Sequence, residues 1–182
     1  MKIVITGGAG FIGSSVAQLL KKDHKVTIFD HKKPINEDSE FIQGNINDSK
    51  IVTDSIKGCD VVIHLAATLG VVYTEKNPIK TLDTNIIGTK NVLESCRLNN
   101  IRKMIFSSSS EVYGEPLKVP ISEIDKPIPI TTYGISKLTA EEYIKAYSKS
   151  YGIRYTILRL FNVYGDGQGT QWVVPEFVSQ AI

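Results

Sequence analysis

The chain has 182 residues, of which 42% are hydrophobic and 22% charged, and its formal net charge is +2. This length suffices for one domain with a buried core, and the near-neutral charge gives no reason to expect nucleic acid or an acidic membrane as a partner. No apolar run is long enough to span a bilayer, and we expect a cytoplasmic protein without a secretory signal. The two cysteines, Cys59 and Cys96, lack metal-type spacing, so we expect reduced thiols and no metal site.

The first predicted element is a short apolar strand, Lys2–Thr6, which leads directly into a glycine-rich turn. Gly7, Gly10 and Gly13 follow G-x-x-G-x-x-G spacing, and the apolar pattern after them predicts a helix over 11–22. Glycine lets the backbone turn tightly and approach a diphosphate closely, and the first amides of the helix point towards that diphosphate. The pattern therefore predicts a dinucleotide-binding site.

A second predicted strand, Lys25–Asp30, ends in an acidic residue about 20 residues beyond the glycines. A carboxylate at this position accepts hydrogen bonds from the adenosine ribose and repels the 2′-phosphate of NADP. His31, Lys32 and Lys33 follow and could bind such a phosphate, although a solvated turn before Pro34 is the simpler interpretation. We therefore predict NAD as the cofactor.

Strand-like and helix-like segments alternate over the rest of the chain. Further strands are predicted at Glu40–Gln43, Asp60–Leu65, Lys103–Ser108 and Arg154–Leu160, and further helices at 48–57, 77–99 and 134–151. Asp48 and Asn77 are predicted N-caps, and Pro78 fits the first position of a helix. Several strands are continuously apolar, which is typical of a parallel sheet covered on both faces. The alternation predicts a doubly wound α/β sheet with ligands at the carboxyl ends of its strands.

Unusual residues gather at these predicted strand ends. His64 closes the fourth strand, and we interpret it as a structural histidine rather than a catalytic one. Ala66 and Ala67 follow, and their small side chains would let a cofactor lie against the backbone. Asn85 stands in an otherwise apolar helix, where a core-facing amide needs a partner. Bracing the active-site loop or binding water is one interpretation of Asn85, and a capping or surface role is the other.

The candidate chemistry follows the fifth predicted strand, where a serine run occupies 107–110. Tyr133 and Lys137 are four residues apart, so both project from one face of a helix that begins near Tyr133. A phenol has a pKa near 10, and we expect the Lys137 ammonium to lower the pKa of Tyr133. Such a phenol can take the proton of a sugar hydroxyl while hydride leaves the same carbon for NAD, with a nearby serine holding the oxygen.

The chain resembles the extended short-chain dehydrogenase/reductase family, and within it the NAD-dependent nucleotide-sugar epimerases and dehydratases. The residues that carry the resemblance are the glycine turn, Asp30, 64–67, Asn85, Gly88, Thr89, the serine run through Gly114, Tyr133, Lys137 and 158–165. The resemblance implies a Rossmann-like NAD-binding domain over 1–165 and the start of a substrate-binding lobe over 166–182. Because most of that carboxyl-terminal lobe is missing from the sequence, we expect NAD binding without efficient turnover.

The resemblance also implies roles for individual residues. Ser109 takes the place of the catalytic serine, Tyr133 that of the base and Lys137 that of its partner, with Glu111 as a further catalytic candidate. The implied cofactor contacts are Gly7, Gly10, Phe11, Ile12, Gly13, Asp30, Asn45, Ile46, Leu65, Ala66, Ala67, Asn85, Ser107, Tyr133, Lys137 and Val163. The implied substrate contacts are Thr68, Ser109, Ser110, Tyr133 and Asn162. Asn45 departs from the family's usual aspartate, yet its side-chain carbonyl can still accept from the adenine amino group.

The reaction that follows oxidation at C4 of the sugar stays open at this point. Ser109 is followed by Ser110 and Glu111. At the same three positions, glucose-type dehydratases of the family carry Thr-Asp-Glu and decarboxylases carry a motif similar to Thr-Ser-Glu. The initial serine is typical of epimerases, so we favour a UDP-sugar 4-epimerase. The alternatives are a nucleotide-sugar 4,6-dehydratase, a UDP-glucuronate decarboxylase, and an NAD(P)-binding sensor or scaffold without chemistry. For Glu111, a structural hydrogen bond to the loop is an equal alternative.

Family members often form homodimers through a four-helix bundle. The helices over 77–99 and 134–151 are the candidates in this chain. Their alternate faces carry Ile79, Leu82, Ile86, Leu138, Tyr143 and Ile144, which could equally pack on the sheet.

Overall fold

The computed structural model describes residues 1–35, 39–116 and 118–181. Its six strands are β1 (Lys2–Thr6), β2 (Lys25–Asp30), β3 (Glu40–Gln43), β4 (Val61–His64), β5 (Lys103–Ser109) and β6 (Arg154–Leu160). All pairings are parallel, and the order across the sheet is β3-β2-β1-β4-β5-β6. The chain winds outward from β1 to one edge and from β4 to the other, which confirms the predicted doubly wound sheet. The winding direction reverses between β1 and β4, where such sheets bind ligands.

Helices connect the strands. They are α1 (Phe11–Leu20), α2 (Ser49–Ser55), α3 (Val71–Lys76), α4 (Pro78–Leu82), α5 (Gly88–Leu98), α6 (Thr132–Tyr151) and α7 (Val173–Ala181). A π-helical turn, Asp83–Ile87, joins α4 to α5, and a 3₁₀ turn, Ser110–Tyr113, follows β5. The helix predicted over 77–99 is confirmed in that residues 78–98 are helical throughout, but the π turn, which was not predicted, divides it into α4 and α5. No helix in the described part of the chain is long and apolar enough to cross a membrane.

The two predicted N-caps differ in outcome. The Asp48 side chain accepts from the backbone amides of Lys50 and Ile51, each at 3.1 Å, which confirms this cap. Asn77 makes no side-chain cap, and its amide instead donates to the carbonyl of Tyr73 at 3.0 Å. Asn77 occupies the N-cap position of α4, with Pro78 in its first turn as predicted, but its side chain contributes no cap because the end of α3 engages it.

Two apolar clusters cover the two faces of the sheet. Val4 belongs to one cluster and Ile3 and Ile5 to the other, as expected for successive residues of a strand buried on both sides. Helices α2, α5 and α6 contribute to the Val4 cluster, and α1 packs on the opposite face. Within the Val4 cluster Ile144 is buried and the partly buried Tyr143 packs against the cluster, so both side chains contribute to the packing on this face of the sheet.

Both cysteines lie in the Val4 cluster as free, buried thiols. Burial raises the pKa of Cys59 to about 11 and that of Cys96 to about 12. Because the thiolate is the reactive form, these shifts make both side chains inert apolar residues, as expected from the sequence.

Candidate active site

The glycine turn between β1 and α1 packs directly on the backbone that follows β4. Gly7 has a φ of +74°, and a Cβ atom there would lie 2.6 Å from the Ala66 nitrogen. A Cβ atom on Gly13, in the first turn of α1, would collide with the Gly7 carbonyl oxygen. Only glycine therefore fits at both positions. Gly10 is the N-cap residue of α1, so the first amides of this helix follow the turn as predicted.

Asp30, at the carboxyl end of β2, is held by the same turn. It is only 8% exposed, and its two carboxylate oxygens accept from the amides of Ala9 at 3.1 Å and Lys32 at 3.0 Å. His31 is exposed, with its Nδ1 3.0 Å from Oδ1 of Asp30. The structure therefore places a carboxylate beside the glycine turn, as the spacing predicts.

Asn45 and Ile46 lie beyond the end of β3 but have different surroundings. Asn45 is exposed, and its side-chain oxygen accepts the backbone amide of Asn47 at 3.0 Å, which leaves one lone pair for another donor. The Ile46 side chain is buried in the core, where a Cβ atom on Gly88 would lie 2.7 Å from it. Only Asn45 presents its side chain to the surface.

His64 ends β4 as a fully satisfied structural side chain. Its two ring nitrogens hydrogen-bond to the hydroxyls of Thr6 at 2.6 Å and Thr89 at 3.0 Å, and it is 1% exposed. Burial, followed by the charge of Lys137, lowers the pKa of His64 to about 3. The imidazole is therefore neutral at physiological pH, which confirms its structural interpretation.

Asn85 occupies the π turn and braces the loop after β4. Its Oδ1 accepts from the Thr68 amide at 2.8 Å, and its Nδ2 donates to the Thr68 carbonyl at 3.0 Å and to the Ser136 hydroxyl at 2.9 Å. The side chain is 2% exposed, so the surface alternative is wrong and the bracing interpretation is confirmed. Leu65, Ala66 and Ala67 lie half-buried just before the braced residue. Ser136 was not predicted as a partner of Asn85, and its hydroxyl also donates to the Tyr133 carbonyl at 2.7 Å.

The end of β5 and the start of α6 bring the predicted catalytic side chains together. The Ser109 hydroxyl accepts the Glu111 amide at 3.2 Å and lies near enough to the Tyr133 phenol to favour its ionised form. Lys137 is 2% exposed, donates from Nζ to the Ser107 carbonyl at 2.8 Å, and lies 5.7 Å from the centre of the Tyr133 ring. The arrangement places a hydroxyl, a phenol and an amine at the carboxyl edge of the sheet.

A threonine that the sequence analysis missed anchors the start of α6. The Thr131 hydroxyl accepts the Gly134 amide at 2.9 Å as an N-cap and donates to Oε2 of Glu111 at 2.7 Å. The Glu111 carboxylate thus has the structural hydrogen bond considered as one alternative. Because Thr131 is an N-cap residue two positions before Tyr133, the bond ties the 3₁₀ turn to the helix that carries the phenol.

The pKa of Tyr133 is shifted in the direction opposite to the one expected. Burial, followed by the negative charge of Glu111, raises it to about 12, and the hydrogen bond from Ser109 only partly opposes this rise. Burial also lowers the pKa of Lys137 to about 7. The expectation that Lys137 lowers the phenol pKa is therefore wrong for the protein's own groups. Both pKa shifts have the same physical cause, because each side chain is buried in surroundings that disfavour its charged form.

Because the Lys137 amine is buried, we expect the stability of the protein to depend on pH, and we expect Lys137→Met to remove this dependence. Between the folded-state pKa of about 7 and the ordinary value of 10.5, the folded protein holds Lys137 neutral while the unfolded chain keeps it charged. The unfolded state then binds more protons, so the free energy of unfolding rises with pH, by up to about 1.4 kcal/mol per pH unit. Urea denaturation at pH 7, 8 and 9 measures this slope.

The matched control is Lys149→Met, at an exposed position of the same helix, which should keep the wild-type slope. Equal slopes for the wild type and Lys137→Met would contradict the shifted pKa.

Three predicted contacts lie at the margin of this cluster. Ser110 is half-buried at the start of the 3₁₀ turn, and Asn162 and Val163 are exposed in the segment after β6. That segment reaches the glycine turn, since a Cβ atom on Gly165 would lie 3.7 Å from the ring of Phe11. The structure therefore brings the Val163 segment close to α1 and leaves the Asn162 side chain open to solvent.

The chain is similar to known proteins over almost its whole length. Residues 3–182 match the model of the NAD dependent epimerase/dehydratase family. The chain is 40% identical to a putative UDP-glucose 4-epimerase of Methanocaldococcus jannaschii, over 99% of this chain and 63% of that protein.

Two solved structures are also similar. One is a UDP-N-acetylglucosamine 4-epimerase from Methanobrevibacter ruminantium in complex with UDP-N-acetylmuramic acid, with 36% identity, a TM-score of 0.91, and coverage of 98% of this chain and 61% of that one. The other is a UDP-glucuronic acid 4-epimerase from Bacillus cereus in complex with NAD, with 34% identity, a TM-score of 0.89, and coverage of 100% and 62%. The chain thus spans about three fifths of the length of each of these proteins. Because the family model matches almost the whole chain, the chain belongs to the NAD dependent epimerase/dehydratase family.

Proposed function

We propose that the protein is an NAD-dependent UDP-sugar 4-epimerase. The observation that carries the proposal is the cluster of Ser109, Tyr133 and Lys137 at the sheet edge that also holds the glycine turn. The similar proteins support the choice of reaction and substrate, since they are named as 4-epimerases of UDP-glucose, UDP-N-acetylglucosamine and UDP-glucuronic acid.

The glycine turn fits the diphosphate of NAD. Gly7 and Gly13 have no room for a side chain, so the backbone of the turn is bare where α1 begins. In the proposal the amides of Phe11 and Ile12 bind the diphosphate, and Asp30 binds the adenosine ribose. The remaining proposed cofactor contacts are Gly10, Asn45, Ile46, Leu65, Ala66, Ala67, Asn85, Ser107, Tyr133, Lys137 and Val163. The Bacillus cereus structure, a complex with NAD, supports this cofactor.

The proposed mechanism begins with removal of the C4 hydroxyl proton of the sugar. When bound, NAD supplies the hydride acceptor and a positive charge that favours the phenolate form of Tyr133. Tyr133 takes the proton as general base, and Ser109, which lies next to the phenol, holds the sugar oxygen. Lys137 assists in its charged form, which is well populated near its pKa of about 7.

Epimerisation is completed when the 4-keto sugar turns and receives hydride on its other face. Tyr133 then returns the proton to the C4 oxygen. The bond between Glu111 and Thr131, at 2.7 Å, favours this outcome over dehydration or decarboxylation, because it gives the carboxylate a structural partner. Thr68, Ser110 and Asn162 are the further proposed substrate contacts.

The test is to incubate the full-length protein and NAD with UDP-glucose, UDP-N-acetylglucosamine and UDP-glucuronate, and to follow the products by NMR. We expect the C4 epimer of at least one substrate. A 4-keto-6-deoxy sugar would instead identify a dehydratase, and release of carbon dioxide a decarboxylase. No change in any nucleotide sugar, despite tight NAD binding, would identify a sensor or scaffold.

The choice of NAD over NADP gives a separate prediction for Asp30→Asn. The substitution removes the charge that repels the 2′-phosphate, and like charges 4 Å apart in water-like surroundings repel by about 1 kcal/mol. We therefore expect the preference for NAD over NADP to fall by at least about fivefold, measured by isothermal titration with each cofactor. Asp23→Asn, at an exposed position before β2, is the control and should keep the wild-type preference. An unchanged preference in Asp30→Asn would contradict the assignment.

The domain boundaries and assembly are also proposals. Residues 1–165 would form the NAD-binding domain, and 166–182 would begin a lobe that binds substrate. A homodimer formed through a four-helix bundle of residues 77–99 and 134–151 is supported by exposed apolar side chains on these segments, namely Ile79, Ile87 and Ile135. We also propose a cytoplasmic location. Sedimentation of the full-length protein tests the dimer, and a monomer at micromolar concentration would overturn it.

A further inference from the structure

A buried ion pair lies beneath the candidate active site. Glu141, in α6, is 0% exposed, and Arg159, in β6, donates to both of its carboxylate oxygens, from Nε at 3.0 Å and from Nη2 at 2.7 Å. The Ser108 hydroxyl donates to the same carboxylate at 2.6 Å. The third guanidinium nitrogen donates to the Tyr113 hydroxyl at 2.9 Å. One carboxylate thus joins α6, β5, β6 and the 3₁₀ turn.

Glu141 lies on the same face of α6 as the two catalytic candidates of that helix. Tyr133, Lys137 and Glu141 are spaced four residues apart and therefore share one face of the helix. Each faces a different serine at the end of β5. Lys137 donates to the carbonyl of Ser107, Glu141 accepts from the hydroxyl of Ser108, and the Tyr133 phenol lies next to the hydroxyl of Ser109. Two hydrogen bonds thus hold the helix against the strand beside the Ser109–Tyr133 pair.

Stability alone does not account for an ion pair in this place. Removing two charges from water costs about as much as their attraction returns, so apolar side chains of similar volume often stabilise a protein equally well or better. What a two-pronged guanidinium–carboxylate contact adds is geometry, because two parallel hydrogen bonds restrict both distance and angle. Ser108 and Arg159 are also register partners on adjacent strands, which ties that geometry to the sheet.

We propose that Glu141 and Arg159 are positioning residues that set the distance between the Ser109 hydroxyl and the Tyr133 phenol. Ser108 precedes Ser109 directly, and Glu141 lies one helical turn beyond Lys137, so the pair sets both sides of the catalytic contact without touching the reacting atoms. The catalytic part of this inference rests on the proposed epimerase function.

The decisive variant is the double substitution Glu141→Leu with Arg159→Met, which replaces the pair by apolar side chains of similar volume. We expect a cooperatively folded protein with a lower melting temperature, because the buried Ser108 and Tyr113 hydroxyls lose these partners. NAD affinity and KM for the UDP-sugar should stay unchanged, and kcat should fall by about 10- to 100-fold, since small displacements of catalytic groups have effects of this size. Wild-type kcat in the double variant would overturn the inference.

Two single substitutions accompany it. Arg159→Lys keeps the charge but not the two-pronged contact, so it should restore part of the lost kcat; if the double variant does not fold, wild-type kcat in Arg159→Lys overturns the inference instead. Glu142→Gln is the matched control, because Glu142 is the next residue of α6 and pairs with Lys145 on the exposed face. Its kcat should equal that of the wild type.

A measurement that needs no turnover separates this inference from the proposed function. With ¹³C-labelled tyrosine, the Tyr133 ring signal can be assigned by its loss in Tyr133→Phe. The signal should shift in the double variant and in Arg159→Lys but not in Glu142→Gln. If the wild type converts no nucleotide sugar, the epimerase proposal fails while this comparison still applies. An unmoved Tyr133 signal in the folded ion-pair variants would overturn the positioning role.

Discussion

Tyr133→Phe is expected to lower the turnover of a UDP-sugar by about 10²–10⁴-fold, the usual contribution of general acid–base catalysis. The substitution removes only the phenol hydroxyl beside Ser109, so the ring and its packing beside Lys137 remain. NAD affinity should therefore stay within a few-fold of the wild type. Product formation followed by NMR gives the rate, and isothermal titration gives the affinity.

The control for this prediction is Tyr151→Phe, at the opposite end of α6, where the side chain is 45% exposed. It removes the same atom far from the serine cluster and should retain wild-type turnover. Wild-type turnover in Tyr133→Phe would remove the phenol from the mechanism, whereas loss of NAD binding would show that the hydroxyl acts mainly in holding the cofactor rather than in proton transfer.

Gly7→Ala is expected to have the largest effect on stability and to weaken NAD binding by more than tenfold. Its φ of +74° disfavours alanine by about 1–2 kcal/mol. The added Cβ atom would also lie 2.6–2.8 Å from the backbone of Leu65 and Ala66, and relieving such overpacking costs a further 1–3 kcal/mol or so. To relieve the contact the turn must move away from its position before α1, where the diphosphate would bind.

Gly58→Ala is a matched control for this substitution. Gly58 has almost the same φ, +73°, but a Cβ atom there would meet nothing within 4 Å. The control therefore carries the backbone strain without the collision and should lose only about 1–2 kcal/mol, with NAD affinity unchanged. Urea denaturation and isothermal titration measure both effects. Equal losses in the two variants would show that the close approach to β4 has no energetic consequence.

The sheet was predictable because its signals are local in the sequence. Five of the six strands match their predicted bounds or differ by one residue, since each is a short apolar run bounded by polar or glycine residues. The helix over 77–99 was not predictable in detail. Its π turn centres on Asn85, whose bonds go to Thr68 and Ser136, 17 and 51 residues away in the chain. Contacts over such separations leave no periodicity in a window of sequence.

In the candidate site, too, features with a local sequence pattern were predicted, and those that depend on residues distant in the chain were not. The spacing of Tyr133 and Lys137 predicted correctly that the two side chains lie side by side. It did not predict Thr131 as the partner of Glu111, because the two are 20 residues apart and meet only when α6 docks against the 3₁₀ turn. The Glu141–Arg159 pair was missed for a similar reason, since its members lie on different elements.

The amino-acid sequence by itself determined the parallel sheet, the glycine turn, the acid that follows it and the line of candidate catalytic side chains, because these depend on residue type and short-range spacing. Only the tertiary structure decided which groups lose contact with water. Burial is what raises the pKa of Tyr133 to about 12 and lowers that of Lys137 to about 7, the reverse of the shift expected for the phenol. A charge is disfavoured by everything packed around it, and that packing comes from residues distant in the chain.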